Sequence, residues 1–196
     1  MSADPERLRL VAHELRSPVA ALAALSEAAS ATDDPAMLRG MLALGIAAAR
    51  DVERIAADPD LTSLRLGEVD VAALAASFAA SSVHVEAIGD ARVQGDATRL
   101  RQVLANLVAN ARRHGSTVDI VVSESDGRVV VTVADDGPGF YPGLDPFARG
   151  ASGAGSTGYG LWLARAIAEA HGGALELADA PAGGAGLRLS LPSSGA

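Results

Sequence analysis

The stretch from residue 96 to 115, DATRLRQVLANLVANARRHG, is strongly patterned. Leu100, Val103, Leu104, Leu107, Val108 and Ala111 recur three and four residues apart, so the spacing predicts a helix that buries one face. Asn106, Asn110 and Arg113 share another face at i, i+4 and i+7. Two amides one turn apart are either surface polarity or oxygen ligands for a hard cation whose shell phosphates complete; Mg²⁺ fits the second case. Arg113 and His114 then place phosphate-binding charge about one turn from the cation ligand, as phosphoryl transfer requires. Gly115 stands where a helix C-cap belongs.

Working outward from this helix, VDIVVSES and RVVVTVAD are β-branched runs joined across Asp126-Gly127, a hairpin signature. The second run delivers its end to DDGPG at 135–139. There a carboxylate, Asp135, precedes two glycines, Gly137 and Gly139, that let a ligand approach the backbone. Asp135 is either an ordinary turn residue or an acceptor at the base of a pocket for the exocyclic amine of adenine. GYG at 158–160 opens a helix over about 160–170, whose free N–H groups and positive dipole end favour a polyphosphate. Between them, residues 140–157 are rich in Gly, Pro and Ser and long enough to be a lid. A helix over about 71–81, the strand-like VHVEAIG, the short segment ARVQGD, and strands near 174–177 and 187–191 complete a two-layer α/β sandwich.

Upstream, LRLVAHELRSPVAALAAL at 8–25 repeats Leu8, Leu15, Leu22 and Ala29 every seven residues, with Val11 and Leu25 in a second apolar row. His13 falls at the outermost heptad position and is followed by Glu14, so it is either part of a solvated polar face or an exposed imidazole that does chemistry. Pro18 removes a helical donor one turn later and bends the helix. The first helix is expected from Asp4-Pro5 to about Ala31. A second begins with Asp34 as N-cap and Pro35 at its first position. Met37, Met41, Leu44, Ala48, Val52 and Ile55 form its apolar stripe, widened by Leu38, Leu42 and Ile46. So much apolar surface predicts an antiparallel hairpin that dimerises into a four-helix bundle. The fold class is α+β: hairpin at 1–57, linker at 58–70, and sandwich at 71–196 with its lid at about 140–157.

Composition excludes several classes. A chain of 196 residues, 49% hydrophobic, can bury one sizeable core and a smaller helical module. No apolar run approaches the roughly 20 residues of a bilayer span, and a signal peptide's order of residues is missing, so a cytoplasmic chain or cytoplasmic fragment is expected. The lack of cysteine excludes disulfides and thiolate metal sites. A net charge of −8 argues against nucleic acid as a partner. All 16 basic residues are Arg, so phosphate contacts fall to a bidentate guanidinium.

Five motifs in order resemble those of sensor histidine kinases, the autophosphorylating half of two-component signalling. HELRSP at 13–18 resembles the H-box HELRTP, and NLVANARRH at 106–114 the N-box NLLxNAxKH. VADDGPGF at 133–140 is similar to the G1 box, DPFARG at 145–150 to the F-box, and GYGLWLARAIAEAHGG at 158–173 to the G2 box. The resemblance implies an ATP-binding domain of the superfamily shared with gyrase and MutL, behind a phosphoacceptor hairpin. It makes His13 the phosphoacceptor, Glu14 its acid/base partner, and Ser17 the hydroxyl where the family carries its phosphatase-linked Thr or Asn. Asn110 becomes the Mg²⁺ ligand with Asn106 supporting it, and Arg113 takes the place of the phosphate-binding Lys. Asp135 reads adenine, while Gly137 and Gly139 shape its pocket. Arg149 is a lid residue near the phosphates, and Gly158, Gly160 and Leu161 form the lid hinge. The implied cofactors are ATP and Mg²⁺, and the implied partners a second copy of the chain and the receiver domain of a response regulator.

Three departures bear on this reading. Trp162 stands where the family has the second glycine of GLGL, the connection from the G1 box to DPFARG is short, and so is the turn between the first two helices. The first two support a rival, a dimeric phosphotransfer or scaffold protein with a degenerate ATP site. A second rival is an ATPase or serine kinase of the wider superfamily in which His13 is incidental; its members lack a hairpin with HELRSP.

Overall fold

The structure, a computed structural model, describes residues 19–57, 64–141, 143, 145–148, 160–181 and 183–195. The chain divides into two compact units, the second being Thr62–Leu144 with Gly160–Ala196. In the first unit, helix α1 is described over 19–30 and helix α2 runs Pro35–Ala57. Asp34 caps α2 as its sequence position requires: its Oδ1 accepts the Ala36 amide at 2.9 Å and its carbonyl accepts the Leu38 amide at 2.9 Å. Met37, Leu42 and Ile46 on α2 are exposed. No described helix is long and apolar enough to cross a membrane.

The second unit contains strands β1 (Gly67–Asp70), β2 (Val83–Ile88), β3 (Arg92–Gly95), β4 (Val118–Ser125), β5 (Arg128–Asp135), β6 (Ala174–Ala178) and β7 (Gly186–Pro192). Its helices are α3 (Val71–Ala76), α4 (Ala97–His114) and α5 (Gly160–Ala170). Five strands form one sheet in the order β2-β4-β5-β7-β6. All its pairs are antiparallel except β2 with β4, which the crossover through β3 and α4 makes parallel. The β4–β5 hairpin turns at Asp126-Gly127, both at positive φ, as the dipeptide predicts.

Register explains the core. Ile120 pairs with Val133, Val122 with Val131, Val131 with Leu189 and Val133 with Leu187, so these side chains project from one face. All are at most 3% exposed. Leu100, Val103, Leu104, Leu107 and Ala111 of α4 and Leu163, Ala164 and Ile167 of α5 are buried as well, which covers that face in the two-layer arrangement. Alternate strand residues such as Asp119 and Arg188 remain exposed on the other face.

Two boundaries differ from the sequence reading. Gly67–Asp70, assigned to the linker, is strand β1, paired antiparallel with β3 in a separate two-stranded sheet. Helix α3 ends at Ala76 rather than near Ser81, because the Ser77 hydroxyl donates to the Leu74 carbonyl at 2.6 Å and the Phe78 amide turns back to Ala75. The first half of the expected first helix, with Pro18, lies outside the described residues.

Leu107 is fully buried, whereas Ile88 is 55% exposed. Leu107→Ala is expected to lower unfolding free energy by about 3 kcal/mol in urea titrations, and Ile88→Ala by well under about 1 kcal/mol.

Candidate nucleotide site

Asp135 is the last residue of β5 and shares the parity of Val129, Val131 and Val133, so it lies on the helix-covered face. It is 3% exposed. Its Oδ1 accepts the Gly137 amide at 2.9 Å and the Ala185 amide at 3.3 Å. The Asp135 amide in turn donates to the Ala185 carbonyl at 3.0 Å. Among the described residues both donors fall on Oδ1, which leaves Oδ2 for a ligand.

Three glycines make room for this carboxylate. A Cβ at Gly115 would stand 2.8 Å from the Asp135 Cβ, and one at Gly137 or at Gly184 would stand 2.8 Å from its Oδ1. Gly184 also abuts the Asp135 carbonyl too closely for any side chain. Gly115 is the C-cap of α4, its amide donating to the Ala111 carbonyl at 2.8 Å; its backbone is extended, φ −113°, so close approach to the aspartates rather than a left-handed turn is what requires glycine there. Gly139 sits at φ +79°, and a Cβ there would meet the Gly184 carbonyl at 3.3 Å.

Asp136 fastens the same corner. Its Oδ1 accepts the amides of Ser116 at 2.6 Å and Thr117 at 3.0 Å, tying the α4–β4 turn to the DDGPG loop. The backbone and side chain of Thr117 hold this carboxyl below its ordinary value of 3.8, and Ser116 adds to the effect.

Helix α4 supplies the other wall. Asp96 caps its start, and its C-terminal turn ends in Arg112, Arg113 and His114. The His114 carbonyl lies against Gly137, where an added Cβ would be 2.6 Å away. Towards the middle of α4, Asn106 faces the first residue of α5: a Cβ on Gly160 would stand 3.7 Å from its Cγ and Oδ1. Asn110 is half-buried and Arg113 exposed between these two points. Along α4 the interval from Asn106 to His114 is about 12 Å. The contacts therefore run from the α5 N-terminus along the polar face of α4 to the buried carboxylate.

This order fits an elongated ligand with an amine-bearing base at one end and anionic groups at the other. The glycine cradle with a free carboxylate oxygen suits the first; the amides, Arg113 and the α5 N-terminus suit the second. No described group of three or more acidic or histidine residues could hold a metal by itself. Mg²⁺ would thus need Asn110 together with phosphate oxygens, which suits its preference for partial protein ligation.

Trp162 bears on whether that cleft is open. Two helical steps rotate it about 200° around α5 from Gly160, away from the side that meets Asn106. Leu161 is buried in the helix–sheet core. His13, Glu14, Ser17, Arg149, Gly158 and most of 140–157 lie outside the described residues. Sequence reasoning overlooked Gly184, Ala185 and Asp136. The GGAG run at 183–186 reads as a plain turn, and only the β5–β7 pairing shows what it abuts.

The family model described as histidine kinase-, DNA gyrase B- and HSP90-like ATPase matches residues 95–195. The chain is 32% identical over 207 residues to the probable sensor histidine kinase TcrY of Mycobacterium tuberculosis, covering 86% of this chain and 42% of that protein. It is 31% identical to the sensor-like histidine kinase SenX3 of Mycobacterium bovis, covering 93% of this chain and 52% of that protein. The chain thus spans about half the length, or less, of these relatives. Among solved structures, the ATP binding domain of PrrB from Mycobacterium tuberculosis superposes with a TM-score of 0.54 at 28% identity, over 65% of this chain and 97% of that one. Acinetobacter baumannii histidine kinase AdeS shares the fold, with a TM-score of 0.62 over 93% of this chain and 98% of that one, at 18% identity.

Because the folded Asp136 pKa is depressed, its contribution to stability is full above about pH 4 and is lost as pH falls through the folded value. Asp136→Asn should therefore lower the urea midpoint at pH 7, with the gap to wild type closing as the pH falls through the folded value; a gap independent of pH would contradict the assignment. From its motifs, its sheet and these relatives, the chain belongs to the histidine kinase-, DNA gyrase B- and HSP90-like ATPase family.

Proposed function

We propose that the chain is an ATP-dependent protein histidine kinase that phosphorylates His13 and passes the phosphoryl group to an aspartate on the receiver domain of a response regulator. The observation that supports this most is the buried Asp135 in its glycine cradle, at one end of a polar helix face that ends beside the α5 N-terminus. In this reading Asp135 accepts the exocyclic amine of adenine through Oδ2, while Gly137 and Gly139 let the base approach. Asn110, supported by Asn106, holds Mg²⁺, and Arg113, His114 and lid residue Arg149 take the phosphates. The ion would neutralise charge developing on the phosphate oxygens. Gly158, Gly160 and Leu161 form the hinge on which a lid over 140–157 closes.

The 1–57 hairpin, paired with that of a second copy in a four-helix bundle, presents the phosphoacceptor. A lone pair of the His13 imidazole forms the N–P bond as the bond from the γ-phosphorus to the ADP oxygen breaks, and Glu14 takes the proton of the other ring nitrogen. The part of the 58–70 segment that precedes Arg65 and β1 gives the ATP domain its swing toward His13. Ser17 retains the hydroxyl for phosphatase activity. A homodimer working in the cytoplasm fits this chemistry. The exposed Met37, Leu42 and Ile46 support dimerisation. The degenerate-scaffold rival rests on Trp162 and the short lid, and the rotation of Trp162 away from Asn106 weakens the first of these supports.

Incubation with γ-labelled ATP and Mg²⁺ is expected to leave an acid-labile label on wild type and none on His13→Ala; a persistent label would reject this acceptor. Asp135→Asn should weaken Mg-ATP binding at least about tenfold, read by titration against the fluorescence of the single tryptophan or by calorimetry. Unchanged affinity would remove Asp135 from the site.

A further inference from the structure

His171 has no role in the chemistry above, yet both of its ring nitrogens are engaged. The Asp96 amide donates to Nε2 at 3.0 Å, and Nδ1 lies 2.8 Å from the Ile167 carbonyl. A nitrogen that accepts an N–H carries no proton, and a carbonyl only accepts, so the proton sits on Nδ1. The ring is seated against Gly95, where a Cβ would come within 3.2 Å of its Cδ2. Just beyond, Gly173 packs on the Ser190 carbonyl too closely for a side chain, which pins the chain after α5 to β7.

Asp96 is the N-cap of α4, its Oδ1 accepting the amides of Thr98 at 2.9 Å and Arg99 at 3.2 Å. Its Oδ2 accepts the Arg65 amide at 3.0 Å, so the segment entering this unit meets the same carboxylate. His171 thereby joins the C-terminal end of α5 to the start of α4. At the opposite end, Gly160 of α5 lies against Asn106 of α4. The two helices run antiparallel with matched spans, Asp96 to Asn106 on one and Gly160 to His171 on the other, about 15 and 16 Å. A slip of one residue would shift the α5 N-terminus about 1.5 Å along α4, enough to misplace phosphate-binding groups.

We propose that His171 is a positioning residue: by accepting the Asp96 amide it sets the axial register of α5 on α4, and so holds the α5 N-terminus beside Asn106 at the phosphate end of the site. This rests on reading the site as one for Mg-ATP. It separates the two ends of the nucleotide, because the Asp135 cradle is built from β5, the turn after α4 and the β6–β7 turn, none of which His171 touches through a hydrogen bond.

The test uses the whole chain and three variants. His171→Gln carries a side-chain oxygen at the reach of Nε2 and keeps an acceptor for the Asp96 amide. His171→Asn keeps only a short donor toward Ile167, and His171→Phe keeps ring volume with neither. By calorimetry, His171→Asn and His171→Phe are expected to bind Mg-ATP about fivefold or more weakly than wild type, and adenosine within about twofold of wild type. His171→Gln should recover most of the Mg-ATP affinity. Parallel losses for adenosine and Mg-ATP, unchanged Mg-ATP binding, or no recovery by Gln would overturn the positioning role while leaving the ATP reading intact. A wild-type chain that binds no Mg-ATP would overturn both. In case a variant does not fold, ¹⁵N spectra of wild type give an independent answer: Nε2 must appear unprotonated and Nδ1 protonated, and the opposite tautomer contradicts the proposal.

Discussion

Burial of a carboxylate at the end of a central strand, with both of its backbone donors on one oxygen, organises the ATP-binding unit. Burying such a group is costly unless hydrogen bonds replace water. Asp135 meets that cost with the Gly137 and Ala185 amides, both on Oδ1. Bringing two backbone segments that close leaves no room for side chains at 115, 137 and 184. The glycines thus follow from the aspartate. The sheet order, which sets β7 beside β5, is what delivers Gly184 and Ala185 to it.

The remaining parts of the site hang from the same corner. Asp136 bonds the turn after α4, fixing where that helix ends relative to Asp135. Rigidity of α4 then carries the geometry about 12 Å to Asn106, where α5 begins. His171 closes the far end by bonding the amide of the α4 N-cap. In the proposed kinase, the group that reads the base and the end that takes the phosphates are thus spaced by one helix pair tied at both ends. There the hairpin has only to bring His13 to the phosphate end.

The sequence revealed those features whose signal is local. The 3.6-residue period of α4 and the alternating valines of β4 and β5 each followed from spacing, as did the Asp34 cap and the Asp126-Gly127 turn. Asp135, Gly137 and Asn106 stood out as candidates because their residue types stand at motif spacing. Features set by pairing at long range were not legible. Gly184 touches Asp135 across 49 positions of sequence, and nothing in GGAG distinguishes a wall of a pocket from a turn. Strand β1 was hidden because a four-residue strand with one buried side chain, Val69, lacks enough alternation to stand out from a linker. Gly115 was legible as the C-cap of α4, but the reason glycine is needed there was not: its backbone is extended, and it is the distant aspartates that exclude a Cβ.

In the proposed kinase, the second oxygen of Asp135 accepts an amine from the base. Calorimetric comparison of Mg-ATP with Mg-inosine triphosphate, which differs at that position by a carbonyl in place of the amine, tests it on the ligand side with the protein unaltered. Binding of the inosine nucleotide is expected to be at least about tenfold weaker, since a carboxylate would then face an acceptor. Equal affinity for the two nucleotides would contradict it.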